Sequence, residues 1–162
     1  MTIALRPYLP ADARRCAIIF RTSIAELAEE DYSEAQCAAW AALADDAAAF
    51  GASLSDMLTL LATRDGEIVG FASLKGVDHI EMIYVAPDHA RQGVATALME
   101  ALEKIARARG ATKLTADVSD TAKPLFDRRK FASQRRNIKQ IDDEWLGNTT
   151  MSKALGPATS TH

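Results

Sequence analysis

The residues with the clearest chemical potential surround Gly93. The strand-like run at residues 80–85 stops at Ala86-Pro87, a short polar turn follows, and Gly93 then stands where a long amphipathic helix is predicted. The first amides of a helix have no partner within the helix, and the helix dipole favours negative charge beside them. A glycine lets an anion approach the backbone closely. Strand, turn, glycine and helix start together predict a site for a phosphorylated small molecule.

The composition fits one globular domain. The chain has 162 residues, of which 48% are hydrophobic and 25% charged, and this is enough for a single core and too apolar for disorder. A net charge of −3 argues against non-specific binding of nucleic acid, which needs a basic surface. No apolar run approaches the ~18 residues of a membrane span, and the N-terminus lacks the pattern of a signal peptide. We therefore expect a cytoplasmic protein.

The cysteines and histidines show no pattern of a metal or redox site. Cys16 and Cys37 have neither a metal-type nor a redox-type spacing, and the three histidines are scattered along the chain. We expect two small buried thiols in a reducing compartment and no bound metal.

Hydrophobic periodicity and turn residues predict an ordered series of elements. Asp12 is a candidate N-cap, Ser33 and Gln36 form a candidate capping box, Asp65-Gly66 lies at the centre of a hairpin turn, and Gly110 ends the Gly93 helix. Helices are expected at 13–28, from 33 to about 46, at 93–109 and at 121–129, and strands at 2–7, 57–63, 68–74, 78–85, 113–118, 131–141 and 145–155.

This order predicts a single α+β (α/β) domain. The helix at 93–109 is long enough to cross from the third meander strand to a parallel neighbour at 113–118, whereas the other strands follow one another as hairpins. We expect a mixed, largely antiparallel sheet with helices on both faces. The domain should span residues 1–155, and a frayed tail should follow at 156–162.

In this order the chain resembles the GNAT superfamily of acyl-CoA-dependent N-acetyltransferases, in particular its small bacterial enzymes. YVAP at 84–87 followed by RQGVA at 91–95 is similar to the central motif of the family, a basic residue or glutamine, two variable positions, glycine, one variable position, then glycine or alanine. AKPLF at 122–126 with KF at 130–131 resembles the second conserved region, and residues 148–155 resemble the last strand. Gly93 alone fits a tight-packing position equally well, but the ordered set covers nearly the whole chain.

Three positions depart from the family pattern. The first motif position falls on Ala90, with the arginine displaced to Arg91, and Lys130 stands where glycine is frequent. The tyrosine that often serves as general acid falls on Phe126, which has no proton to donate. Another group must then act as the acid, or the reaction needs no strong acid.

The resemblance implies transfer of an acetyl group from acetyl-CoA to a primary amine of a small molecule or peptide. The backbone of Ile83, Tyr84 and Val85 would pair with the pantetheine arm as an added strand does. Phe126 would pack against the same arm, and Lys123 would meet a phosphate, although a solvated lysine is the ordinary alternative. The diphosphate would lie on the amides of the helix start, that is Arg91, Gln92, Gly93, Val94, Ala95 and Thr96.

Glu81 is the predicted general base, because the amine must be neutral to attack. Strand alternation puts Glu81, Ile83 and Val85 on one face, near the path of the cofactor; the alternative is that Glu81 pairs with a neighbouring cation or faces water. Tyr32, in a loop between two helices, is the predicted general acid. Tyr84 should face away from Glu81 and lie in the core.

Alternatives stay open at this point. A non-catalytic acyl-CoA-binding sensor or partner protein on the same fold is favoured by Phe126 and opposed by Glu81. A general nucleotide-binding module is opposed, because it would need a Walker lysine or the full dinucleotide motif and the sequence has neither. An acidic segment at 26–56 would attract a cationic amine, although solvated helix faces explain it equally well. The identity of the amine and the oligomeric state, including a homodimer, are not set by the sequence.

Overall fold

A computed structural model describes residues 2–156, and its elements follow the predicted order. The strands are β1 (Ile3–Pro7), β2 (Leu58–Arg64), β3 (Glu67–Lys75), β4 (His79–Val85), β5 (Lys113–Ser119), β6 (Ala132–Ile141) and β7 (Glu144–Ala154). The helices are α1 (Ala13–Leu27), α2 (Glu34–Ala41), α3 (Ala47–Ser55), α4 (Val94–Ala108) and α5 (Lys123–Arg128). The predicted frayed tail lies outside the described residues, except for Gly156.

The strands form one seven-stranded sheet in the order β1-β2-β3-β4-β5-β7-β6. Neighbouring strands are antiparallel except for β4 and β5, which are parallel and are joined by the crossover helix α4. The predicted mixed, largely antiparallel sheet is therefore confirmed.

Helices cover both faces of this sheet, as predicted. On one face, Leu98, Met99 and Leu102 of α4 are completely buried in a core that includes Val69 and Leu74 of β3. On the other face, α1 and α3 pack with Leu61 and Phe71 in a second core, to which α1 contributes Ile19, Phe20 and Ile24. The two cores pack against opposite faces of the central strands, and both of them contact β4.

Several local signals act as the sequence predicts. Asp65 and Gly66 both have a positive φ, 53° and 81°, as a tight two-residue hairpin turn requires. The Ser33 hydroxyl accepts from the Gln36 amide, and the Gln36 side chain accepts from the Ser33 amide, which completes the capping box. Gly110, at φ 88°, ends α4.

Two local predictions are wrong. The second helix ends at Ala41, and a separate helix, α3, follows where no element was expected, because the Asp46 side chain caps it by accepting from the Ala49 amide. Asp12 does not cap α1 with its side chain. Its carboxylate instead accepts two bonds from the Arg6 guanidinium, each 2.9 Å, and one from the Leu9 amide, and the ion pair lowers its pKa.

Candidate functional site

The parallel pairing of β4 with β5 is very short. It consists of His79 opposite Thr115 and Ile80 opposite Ala116, after which the two strands separate. Residues 81–85 of β4 keep β3 as their neighbour, so their other edge borders an opening. An exposed strand edge can pair with an extended ligand, which is the role predicted for the backbone of Ile83, Tyr84 and Val85.

A β-bulge at Glu81 interrupts the alternation of β4. Leu74 of β3 lies opposite Ile80 and Ser73 lies opposite Met82, so Glu81 has no register partner in the described β3. A bulge re-aims the side chain that it contains. Side chains alternate between the two faces of a regular strand, and this rule placed Glu81 on the same face as Ile83 and Val85. The rule does not hold at the bulged residue itself.

Two cavities meet at the opening between β4 and β5. One, the carboxylate cavity, has a volume of about 190 Å³, and its polar wall comprises Tyr32, His79, Glu81, Asp117, Lys139 and Asn148. The other, the glycine cavity, has a volume of about 240 Å³, and its wall includes His89, Arg91, Gly93, Ala95, Thr96 and Arg128. Both cavities are lined by Trp40, Ile83, Tyr84, Ser119 and Ala122, which form their common boundary.

The glycine cavity has the features of an anion site. Gly93 is the N-cap of α4 with φ 87°, and Arg91 also has a positive φ of 61°. A Cβ built on Gly93 would meet no atom within 4 Å, so the space above this backbone is open. Unpaired helix amides, the helix dipole and the arginines on the wall all favour negative charge. The cavity brings together the predicted residues Val85, Arg91, Gly93, Val94, Ala95 and Thr96.

The side chain of Gln92 does not line this cavity. Its amide oxygen accepts from the Arg64 guanidinium, and its amide nitrogen donates to the Asp88 carbonyl at 3.3 Å. Arg64 also lies 3.3 Å from the ring Nδ1 of His89. Gln92 therefore ties the turn before α4 to the end of β2, through an arginine that sequence reasoning did not single out.

Two of the predicted cofactor residues belong to α5. Lys123 pairs with Asp127 one turn later, at 3.1 Å, and lines neither cavity. Phe126 is 2% exposed, packs edge-on against Phe131 with ring centroids 4.9 Å apart, and borders the carboxylate cavity. The side chain at this position is apolar and has no proton to give.

The carboxylate cavity collects charged groups from strands that are distant in sequence. Glu81 Oε1 lies 3.7 Å from His79 Nε2, and Asp117 accepts a 2.6 Å bond from the Thr150 hydroxyl. Lys139 reaches the same wall from β6. No short motif joins these positions, so sequence reasoning found only Glu81. The acidic segment at 26–56, expected beside the amine, contributes none of its carboxylates to this wall.

Tyr32 borders the carboxylate cavity with a hydroxyl that is already bonded twice. It donates to the Gly147 carbonyl at 2.6 Å and accepts from the Asp120 amide at 2.9 Å. Burial raises its pKa, although the Asp120 amide bond lowers it in part, so the phenol stays protonated. The hydroxyl thus joins the α1–α2 loop to β7 and to the loop after β5.

Tyr84 lies on the boundary of both cavities. Its ring packs 4.6 Å from that of Phe20 and 5.7 Å from that of Phe71, so it is part of the core that was predicted for it. It also lines the carboxylate cavity, as do the five residues before it, because this edge of β4 borders the opening. Burial raises the pKa of the phenol, which is therefore neutral.

Two kinds of feature are absent from residues 2–156. Within this range no cluster of three or more histidine, cysteine, aspartate or glutamate side chains has the arrangement of a metal site. None of the described helices is both long and apolar enough to cross a membrane.

Comparisons with known proteins identify the family and the fold of the chain. A family model for the acetyltransferase (GNAT) domain matches residues 28–155. The chain is 32% identical over 150 residues to the uncharacterized N-acetyltransferase YafP of Escherichia coli (strain K12), covering 92% of this chain and 94% of that protein. A crystal structure of a GCN5-related N-acetyltransferase ("Aminotransferase, Class-II") from Rhodopseudomonas palustris has 55% identity and a TM-score of 0.94, over 96% and 97% of the two chains. PaiA N-acetyltransferase of Thermoplasma acidophilum, in complex with coenzyme A, shares the fold at 17% identity, with a TM-score of 0.77 over 95% and 99%.

Proposed function

We propose, since the chain belongs to the GNAT acetyltransferase family, that it transfers an acetyl group from acetyl-CoA to a primary amine of a small molecule or peptide. The observation that carries the proposal is the common boundary of the two cavities. A donor in the glycine cavity and an acceptor in the carboxylate cavity would meet beside Ile83 and Tyr84. Because acetyl-CoA would be its substrate, we expect the protein in the cytoplasm.

The glycine cavity is our proposed donor site. Amides from Arg91 to Thr96 would receive the diphosphate, and the free edge of β4 at Ile83–Val85 would pair with the pantetheine arm. An amide of the same edge would also polarise the thioester carbonyl and stabilise the tetrahedral oxyanion. The coenzyme A complex of the Thermoplasma protein supports a coenzyme A ligand on this fold.

The carboxylate cavity is our proposed acceptor site. Glu81 would take the proton from the attacking amine, directly or through one water. Asp117, on the same wall, adds a second negative group that favours a cationic amine before it loses its proton. A volume of about 190 Å³ supports a small acceptor or a single side chain rather than a large ligand.

Tyr32 is our proposed general acid for the leaving thiolate. In the resting protein the Gly147 carbonyl accepts the Tyr32 proton, so donation to sulfur would require the hydroxyl to leave that carbonyl. Tyr84 is the competing candidate, because it borders both cavities. A thiol of pKa near ~8.5 also departs without full protonation, so the need for an acid depends on which step limits turnover.

The test is release of free thiol from acetyl-CoA across a panel of primary amines. Glu81→Gln should lower turnover by about 10²-fold or more with unchanged affinity for acetyl-CoA, and the loss should be largest at low pH, where the amine is mostly protonated. Glu67→Gln is the matched control, because Glu67 is an exposed carboxylate that pairs with Arg15 away from both cavities. Equal turnover in the wild type and Glu81→Gln at every pH would remove Glu81 from the mechanism.

An acyl-CoA sensor without catalysis is the second candidate. The buried, apolar Phe126 on the cavity wall and the engaged proton of Tyr32 favour it. A sensor would bind acetyl-CoA tightly and release no thiol with any amine of the panel. Amine-dependent thiol release by the wild type would exclude it.

A further inference from the structure

His79 lies beside Glu81 in the carboxylate cavity, and the proposed chemistry gives it no role. Its ring Nε2 is 3.7 Å from Glu81 Oε1, and its Nδ1 is 2.8 Å from the Thr115 hydroxyl. The His79 side chain is 28% exposed and that of Glu81 is 38% exposed, so the pair connects the cavity with solvent. His79 and Thr115 are also register partners in the short β4–β5 pairing, which fixes the ring.

The Thr115 hydroxyl lies within hydrogen-bond distance of two partners, His79 Nδ1 at 2.8 Å and the Asp78 carbonyl at 3.4 Å. A relay through this ring needs the hydroxyl proton directed to Asp78, so that the oxygen accepts from Nδ1–H. The neutral imidazole then carries its proton on Nδ1, and the Nε2 lone pair is directed towards Glu81. The distance of 3.7 Å is too long for a direct hydrogen bond in the resting protein, but a protonated Glu81 needs only a small movement to reach Nε2.

We propose that His79 relays the proton of the reaction from Glu81 to solvent, as a positioning residue that acts through the base. This inference rests on the proposed acetyl transfer. The amine nitrogen forms its bond to the thioester carbon and loses a proton to Glu81; the carbon–sulfur bond breaks as the tetrahedral carbon collapses. Glu81 passes its proton to His79 Nε2, and the imidazolium releases a proton to solvent. The departing thiolate takes up a proton from Tyr32 or, where no acid is needed, from solvent.

The charges around the ring are compatible with a passing proton. Glu81 and Asp117 on the cavity wall are negative, whereas Lys139 on the same wall and Lys75, the register partner of His79 on β3, are positive. Groups of both signs therefore surround the ring.

The kinetic test uses the amine of the panel that the wild type acetylates fastest. His79→Gln keeps polar atoms but cannot relay, so turnover should fall about 10-fold or more at unchanged affinity for acetyl-CoA. In the Glu81→Gln background the same substitution should cost nothing further, because the relay has lost its source. Added imidazole should restore part of the turnover of His79→Ala. Additive losses in the double variant, with no rescue by imidazole, would overturn the relay and leave His79 a structural role.

The second test does not depend on activity. Nitrogen-15 spectra of the histidine rings should show the Nδ1–H tautomer for neutral His79, a loss of that preference in Thr115→Val, and its return in Thr115→Ser, which keeps the hydroxyl. An Nε2–H tautomer in the wild type would overturn the inference whatever the kinetics. Failure of the wild type to acetylate any amine would overturn the proposed function and the relay together, whereas full activity of His79→Gln overturns the relay alone.

Discussion

Gly93→Val tests the anion site while the domain stays folded. Gly93 has φ 87°, and Gly110, at the other end of the same helix, has φ 88°. At both positions a Cβ would meet no atom within 4 Å, so the two sites leave similar space beside the backbone, and the positive φ strains a valine at either one. Gly110→Val is therefore a control with the same backbone strain, far from the glycine cavity.

The expected cost to stability is similar for the two variants. A residue with a Cβ in the left-handed region costs about 1–2 kcal/mol, and a branched side chain costs somewhat more. We expect both variants to lose about 2 kcal/mol of unfolding free energy and to stay folded, since an ordinary domain has ~5–15 kcal/mol. Urea unfolding at neutral pH measures this loss.

The effect on coenzyme A should differ sharply. In Gly93→Val the side chain occupies the open space where the diphosphate would lie, and the loss of one charge-assisted hydrogen bond to a backbone amide costs ~1.5–3 kcal/mol. This corresponds to a Kd raised by about 10- to 150-fold. Gly110→Val should keep the wild-type Kd. Calorimetric titration with coenzyme A measures both, and titration with pantetheine, which lacks the diphosphate, should show little difference between the variants.

Two outcomes would refute this reasoning. Wild-type affinity for coenzyme A in Gly93→Val would mean that the diphosphate does not approach this backbone. An equal loss of affinity in Gly110→Val would mean that helix strain, and not the occupied space, causes the effect.

Four further predictions follow from single side chains. Tyr32→Phe should be less stable by about 1–3 kcal/mol, because it loses the two hydrogen bonds of the hydroxyl. A ~10²-fold loss of turnover at saturating amine would establish Tyr32 as the acid, whereas full turnover would mean that Tyr32 has a structural role. Phe126→Tyr should raise single-turnover thiol release where thiolate departure limits the rate, and an unchanged rate would mean that departure is not limiting or that Tyr32 already supplies the proton. Glu103→Ala should cost about 3 kcal/mol in urea unfolding, because the carboxylate is buried between Arg129 and Lys153, and a loss below about 1 kcal/mol would contradict this. Asp12→Asn should be less stable than the wild type by about 1–2 kcal/mol at pH 7. The pKa of Asp12 is lowered in the folded state, so this difference in stability should vanish as the pH falls through that lowered value. A difference that stays constant with pH would contradict its origin in the ion pair.

The sequence predicted the parts of the fold that depend on local signals. The hairpin at Asp65-Gly66, the Ser33 capping box and the helix start at Gly93 each need only neighbouring residues, and each is present. Helix α3 was missed because its apolar face is short and follows a helix without a clear stop. The Asp46 cap that starts it resembles any loop aspartate.

The site could be predicted only where its residues are close together in the sequence. Half of the residues that line the glycine cavity come from the single segment 83–96, and these could be identified from their order, whereas those from α1, α2 and the region of α5 could not. The carboxylate cavity needs Asp117 from β5 and Lys139 from β6, and their approach to Glu81 depends on a seven-stranded order that no local pattern contains. The bulge at Glu81 depends in the same way on the register with β3. Alternation alone therefore could not give the direction of the Glu81 side chain, and residues from both faces of β4 border this cavity.

The opening between β4 and β5 follows from the antiparallel partners of these strands. β4 stays with β3 along its length, and β5 stays with β7 from Lys113 to Ser119, while the two share only two register pairs with each other. The two half-sheets are joined directly only by this short pairing, and they diverge beyond it. Tyr32, in the loop between α1 and α2, bonds to β7 and to the loop after β5, and α1 itself packs on β4. Its hydroxyl therefore links the two sides of the opening, and this is why Tyr32→Phe must be judged by its effect on stability as well as on turnover.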